Sequence, residues 1–200
     1  YDDKKLFSES HGHTDFDESY DIFHIYGFDL THRYNAIPLN ETTLIVTAGN
    51  YSFFFDIVTG SEQIIPGHNK VIGCCAVHPN MQYVALGEGG ESPNVLIYHF
   101  PSLKLYRILR NGTDSGYTAI NFSPDGSMLA CVGTFPDYTL TIWDWEKENL
   151  ILRAKAFAQE IFRVTFSEKL QGHLVTSGVG HIRFWEMART FTGLKLQGEI

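Results

Sequence analysis

The sequence predicts an all-β fold of four similar sheets, on three observations. Four stretches end alike, each in an aromatic followed by a polar residue: Ser52-Phe53-Phe54-Phe55-Asp56, Val95-Leu96-Ile97-Tyr98-His99, Leu140-Thr141-Ile142-Trp143-Asp144 and Ile182-Arg183-Phe184-Trp185-Glu186. The aromatics Phe55, Tyr98, Trp143 and Trp185 fall 43, 45 and 42 residues apart, which is the period of a repeat that folds as one four-stranded unit. Upstream of the last three, the apolar pairs Cys75 and Val77, Ile120 and Phe122, and Val164 and Phe166 alternate with other residues, as on one face of a sheet. Period and alternation together specify a WD-repeat β-propeller. Its blades span roughly 25–66, 67–110, 111–154 and 155–200, behind a leader at 1–24. Rings of this type usually have more than four blades. The expected arrangement is therefore a partial propeller, an open arc whose bare ends make the chain prone to stick to other surfaces.

The leader is acidic. Residues 1–30 carry eight Asp or Glu side chains against Lys4 and Lys5, whereas the remaining 170 residues carry 15 acids and 13 bases. A near-neutral body behind an acidic leader offers no basic stripe for phosphate backbones or anionic lipid, so nucleic acid and membrane are excluded as partners. No apolar run has the length of a membrane span. With Tyr1 in first place, the sequence reads as a segment of a longer polypeptide.

Within each unit the first strand is followed by a turn. Ser123-Pro124-Asp125-Gly126 is the clearest, since proline presets φ and glycine accepts the exit geometry. His78-Pro79-Asn80-Met81 is a looser version. The second strands are Leu44-Ile45-Val46, Val84-Ala85-Leu86, Leu129-Ala130-Cys131 and Leu174-Val175. The strands ending in the aromatics come third. Polar outer strands such as Leu103–Leu109 and Leu150–Leu152 close the units, and Thr192–Gly198 reads as one that runs on toward another blade. The best helical candidate, 185–192, conflicts with the repeat register at its start.

A WD unit ordinarily opens with Gly-His and places an Asp six residues before its Trp, so that a buried hydrogen-bond network ties the blade together. Here Gly67-His68 opens the second unit and Asp137 lies six before Trp143. The other equivalent positions are Gly49, Ser92 and Val179, so most of the network is missing.

Nothing in the sequence assembles a catalytic, metal or cofactor site. His11-Gly12-His13 among acids is a poor metal site, because nothing fixes ligand geometry. Gly87-Glu88-Gly89-Gly90-Glu91-Ser92 resembles a phosphate loop, but Pro93 and a strand follow where a helix is needed, and the glutamates repel an anion. There is no Gly-x-Ser-x-Gly elbow. Cys74, Cys75 and Cys131 lack metal-ligand spacing and read as reduced, buried thiols of an intracellular protein. His78, beside a turn, is expected to bond backbone. The four aromatics are core residues between blades. Phe135 and Tyr138, flanking Asp137 in a strand connection, and Trp145, expected to be partly exposed, are the candidates for protein contacts.

The runs Asp137–Trp145, Ile151–Phe157, Gly180–Met187 and Phe191–Gly198 include surface positions that the fold does not dictate. In that ordered series the chain resembles a family of cilia- and flagella-associated WD-repeat proteins of the axonemal dynein tether complex. The resemblance covers most of residues 25–200 and is strongest from Pro101 onward. It implies a large non-catalytic scaffold of WD-repeat propellers and coiled coil in the axoneme of cilia and flagella. Its implied partners are a paralogous WD-repeat tether protein, inner-arm dynein and the doublet microtubule, with no cofactor and no small-molecule substrate. The residues by themselves fit two other classes: a generic WD-repeat adaptor in ubiquitin-ligase or trafficking assemblies, and a propeller gating a hydrolase domain.

Overall fold

The computed structural model describes residues 22–27, 33–65, 68–190 and 193–199. The described residues form sixteen strands arranged as four antiparallel four-stranded sheets. Blade one holds β1 (Ala36–Pro38), β2 (Thr43–Ala48), β3 (Tyr51–Asp56) and β4 (Glu62–Ile65). Blade two holds β5 (Ile72–Val77), β6 (Tyr83–Glu88), β7 (Val95–His99) and β8 (Lys104–Leu109). Blade three holds β9 (Tyr117–Phe122), β10 (Leu129–Gly133), β11 (Thr139–Asp144) and β12 (Asn149–Lys155). Blade four holds β13 (Ile161–Phe166), β14 (His173–Gly178), β15 (His181–Thr190) and β16 (Gly193–Glu199). Strand order within each sheet follows chain order. The stretch considered as a helix at 185–192 is strand through Thr190, with β16 as the outer strand of the same blade. Repeat register prevails there over local helix preference.

The repeat register is exact in the pairing. Leu44 faces Phe55, Val84 faces Tyr98, Leu129 faces Trp143 and Leu174 faces Trp185. The backbone repeats as well: the N–H of Leu39, His78, Ser123 and Ser167 donates to the carbonyl of Thr43, Tyr83, Met128 and His173 respectively. In blades two and three the third and fourth strands shift register just before the aromatic, at Ile97/Tyr98 and Ile142/Trp143. Such a bulge bends the strand and raises its twist locally; in blade four the corresponding pairing is regular.

Burial follows from this. Tyr98 packs with Ile45 and Phe54 of blade one. Trp143 packs with Ala85 and Ile97 of blade two, and Trp185 with Ala130 and Ile142 of blade three. Each ring thus covers the preceding blade. Phe55 has no preceding blade among the described residues and is only half-buried. The far end is barer still. Ile182 and Phe184 are 62% and 56% exposed, whereas their counterparts Val95, Ile97, Leu140 and Ile142 are fully buried by the blade that follows. The arc is open, and blade four ends on an uncovered apolar face.

The first strand of each blade lines a central cavity of about 160 Å³, bounded by Ile37, Cys75, Ile120 and Val164 among others. Arg33, entering blade one, reaches this axis and lies 4.1 Å over the Phe162 ring of blade four. Of the acidic leader, residues 1–21, including the His11 and His13 candidate, lie outside the described residues. At 22–27 the chain meets the outer strand of blade one: His24 Nδ1 lies 2.9 Å from Glu62 Oε1, and the Ile25 N–H donates to Glu62 Oε2.

Candidate interaction surface

Antiparallel strands in this order put two sets of connections at opposite ends of the arc. Loops between second and third strands, together with loops between blades, form one face. Hairpins between first and second strands, and between third and fourth, form the other. Phe135 stands on the first face and is 73% exposed. Its loop is closed by the Tyr138 N–H donating to Thr134 O at 3.1 Å, and Ala156 N–H donates to Tyr138 O at 3.0 Å. Tyr138 adopts φ +43° and presents its ring edge-on to Phe135, with centroids 6.4 Å apart. Tyr138 is half-buried against the blade three and four core, so Phe135 projects from an anchored base.

Asp137 is exposed at the tip of the same loop. This corrects the expectation that it serves a buried network. The histidine that would receive it is absent, because Thr113 occupies the place His68 takes one blade earlier. Trp145 is likewise corrected. It is fully buried, donates its indole N–H to Gly126 O at 2.7 Å, and sits among the rings of His78, Tyr83, Phe122 and Tyr106. It is a seam between blades two and three, not a contact for partners.

His78 shares that seam. Its Nδ1 accepts the Asn80 N–H at 3.1 Å, so Nε2 carries the proton and donates to Gly126 O at 3.1 Å. Both ring nitrogens are committed to backbone, which leaves no general base. Gly126 has φ +76°, and a Cβ there would meet the His78 ring. Replacing Gly126 with alanine is expected to cost about 2 kcal/mol through left-handed strain and overlap. The loss should be smaller when His78 is also alanine, as chemical denaturation of the two variants will show.

The remaining hydrogen-bond network differs from blade to blade. In blade four Trp185 Nε1 donates to Thr176 Oγ1 at 2.9 Å, both buried. In blade three Cys131 stands at the place of Thr176, and Trp143 Nε1 turns to Thr141 Oγ1 at 3.1 Å. In blade two His68 Nδ1 lies 3.5 Å from Tyr98 Oη, and Nε2 has no hydrogen-bond partner among the described residues; Gly67 lies outside them. In blade four Phe157 stands where His68 stands, and stacks on His181 at 3.8 Å. Thr176→Val leaves the Trp185 N–H buried without an acceptor, an expected loss of about 2 kcal/mol that Thr176→Ser largely restores. Thermal unfolding of both variants checks it.

The side chains considered for chemistry do structural work. Burial pushes the Cys75 thiol up to about 12 and holds Cys74 and Cys131 well above the ordinary thiol range, which keeps all three protonated. Glu88 accepts the Asn94 N–H and side-chain amide, and Lys70 Nζ donates to Glu91 O and Ser92 O, so the glycine-rich stretch is a tied strand connection. Among the described residues no group of His, Cys, Asp and Glu is placed to hold a metal, and no helix is long and apolar enough to cross a membrane.

The WD domain, G-beta repeat pattern matches residues 104–144. That span is the outer strand of blade two plus the first three strands of blade three. The sequence repeat is therefore offset by one strand from the blade, and ends on the Trp143-Asp144 pair. Cilia- and flagella-associated protein 44 of Mus musculus is 46% identical over 178 residues, 88% of this chain and 10% of its own length. The protein of that name from Chlamydomonas reinhardtii is 42% identical over 187 residues, 90% of this chain and 11% of its own. The one from Trypanosoma brucei brucei is 41% identical over 169 residues, 83% of this chain and 10% of its own. The chain belongs to the cilia- and flagella-associated protein 44 family. It spans about a tenth of the length of these curated relatives. The matched span ends on a Trp-Asp pair, although Thr113 and Cys131, which stand in places of the hydrogen-bond network, both lie within it.

Proposed function

We propose that this chain is part of a non-catalytic axonemal scaffold that, with a paralogous WD-repeat protein, tethers inner-arm dynein to the doublet microtubule and so supports ciliary and flagellar beating. The observation that carries the reading is identity of 41–46% to relatives named for cilia and flagella, across a mammal, an alga and a trypanosome. The geometry is compatible with it: the described residues provide four antiparallel sheets, an anchored and exposed Phe135, and an open end. Large anchored aromatics on a rigid frame are the common currency of protein interfaces. The Phe135 and Tyr138 loop is the proposed contact on this face. Tagged full-length protein in multiciliated cells tests the reading. It is expected along the axoneme, and its loss should disturb beat waveform while dynein is still present. Exclusion from the axoneme would reject the tether in favour of a general WD-repeat adaptor.

A further inference from the structure

The seams between blades are built from two columns of equivalent residues. One column is the residue just after the first strand: Leu39, His78, Ser123 and Ser167. Their equivalence is set by the shared N–H bond to the carbonyl before the second strand. The other column lies two residues past each aromatic: Ile57, Phe100, Trp145 and Met187. Each seam joins the first column of one blade to the second column of the next. Between blades one and two, buried Leu39 and Phe100 belong to one apolar cluster. Between blades two and three, the rings of His78 and Trp145 lie 5.4 Å apart and both reach Gly126 O. Between blades three and four the same columns supply only Ser123 and Met187.

Beside Ser123, where the column one blade earlier carries the His78 ring, space is left open. A cavity of about 170 Å³ lies there, lined by Ser123, Asp125, Met128, Phe166, Glu168 and Lys169 among others. That is the size of an engineered cavity that accepts benzene, about 150 Å³. Its floor is apolar, with Phe166 buried and Met128 partly so. Its rim carries two carboxylates against one amine. The Ser123 hydroxyl, 2.6 Å from Asp125 Oδ1, together with Ser127, holds the Asp125 carboxyl below its ordinary range, so it stays ionised.

We propose that this socket is a docking site for one aromatic side chain, tryptophan above all, presented by a partner protein on a segment that also carries lysine or arginine. The template is internal: in the neighbouring seam the rings of His78 and Trp145 pack together and each gives an N–H to Gly126 O. The choice of a basic segment follows from the rim charge. The site is on the face opposite Phe135, so a scaffold of this kind engages partners at both ends of its axis. This goes beyond the tether role and does not depend on the organelle in which the protein works.

The test uses the chain with its three methionines labelled at the methyl carbon, Met81, Met128 and Met187, titrated with the end-blocked peptides Lys-Trp-Lys and Lys-Ala-Lys. The Met128 signal is expected to move with Lys-Trp-Lys, at about tenfold higher affinity than with Lys-Ala-Lys, while Met81 stays still. Ser123→His rebuilds the ring of the adjacent seam and should abolish the response. Glu168→Lys, an exposed change that leaves the fold intact, should weaken it severalfold. An unmoved Met128, equal affinity for the two peptides, a full response in folded Ser123→His, or unaltered affinity in Glu168→Lys overturns the proposal. A concentration-dependent dimer dissolved by Ser123→His also overturns it, since the occupant is then a second copy of the chain.

Discussion

Replacing Trp145 with alanine is expected to destabilise the protein by about 4 kcal/mol, the range for deleting a large buried aromatic whose site cannot collapse. The indole is fully buried between blades two and three, and five-membered and six-membered rings of four other residues define its walls. Those walls are fixed by the strands that carry them, so the void persists. Its N–H also leaves Gly126 O, which retains only the His78 bond. Domains of this kind have a net stability of about 5–15 kcal/mol, so the variant should sit close to its unfolding threshold at growth temperature. Trp145→Phe refills most of the volume without the N–H and should recover more than half of the loss. Urea denaturation followed by far-ultraviolet circular dichroism measures both variants without relying on the deleted fluorophore. A loss under 1 kcal/mol in the alanine variant would mean that this seam does not hold the blades together.

Acid is expected to weaken the fold through His68. Burial against Tyr98 depresses its imidazole from near 6.5 to about 4. The folded state therefore keeps His68 neutral, while the unfolded chain binds a proton below about pH 6.5. Stability is unaffected above that pH and declines as pH falls from 6.5 toward 4. Below 4 both states are protonated and the decline from this residue stops. The whole span corresponds to about 3 kcal/mol. Three carboxyls held below their ordinary range, Asp56, Asp125 and Asp144, act only in more acidic solution. His68→Phe keeps an aromatic edge on Tyr98 without the titration. Between pH 7 and 4.5 its unfolding midpoint should fall clearly less than that of the parent chain; parallel curves would assign the acid sensitivity elsewhere.

The fold was legible because its cause is periodic. A four-stranded unit sets the same position of its third strand opposite the same position of its second each time, and Phe55, Tyr98, Trp143 and Trp185 record that place directly. Phe55 differs in having no blade in front of it among the described residues. Trp145 was not legible: it stands in the turn just past β11, and the rings of His78, Tyr83 and Phe122 across the seam are what bury it. Asp137 illustrates the opposite limit. Its position matches the WD pattern, but a buried acid needs a donor, and Thr113 stands in the place that His68 takes one blade earlier. The consequences of Cys131, Phe157 and Ser123 lie in what each fails to reach across the gap between sheets. Only the register that aligns Ser123 with His78 relates that absence to a cavity.

The stacking of equivalent sheets is tested most directly by proton–proton contacts across the second seam in a nuclear Overhauser spectrum of the chain. Gly126 Hα should show cross-peaks to the His78 ring and to the Trp145 indole, and the Trp185 Hε1 should contact the Thr176 methyl. Cross-peaks of this kind from three blades, with slow exchange of the Trp143, Trp145 and Trp185 indole protons, are the predicted result. Indole protons that exchange freely with water, or a Gly126 with no contact to His78, would contradict it.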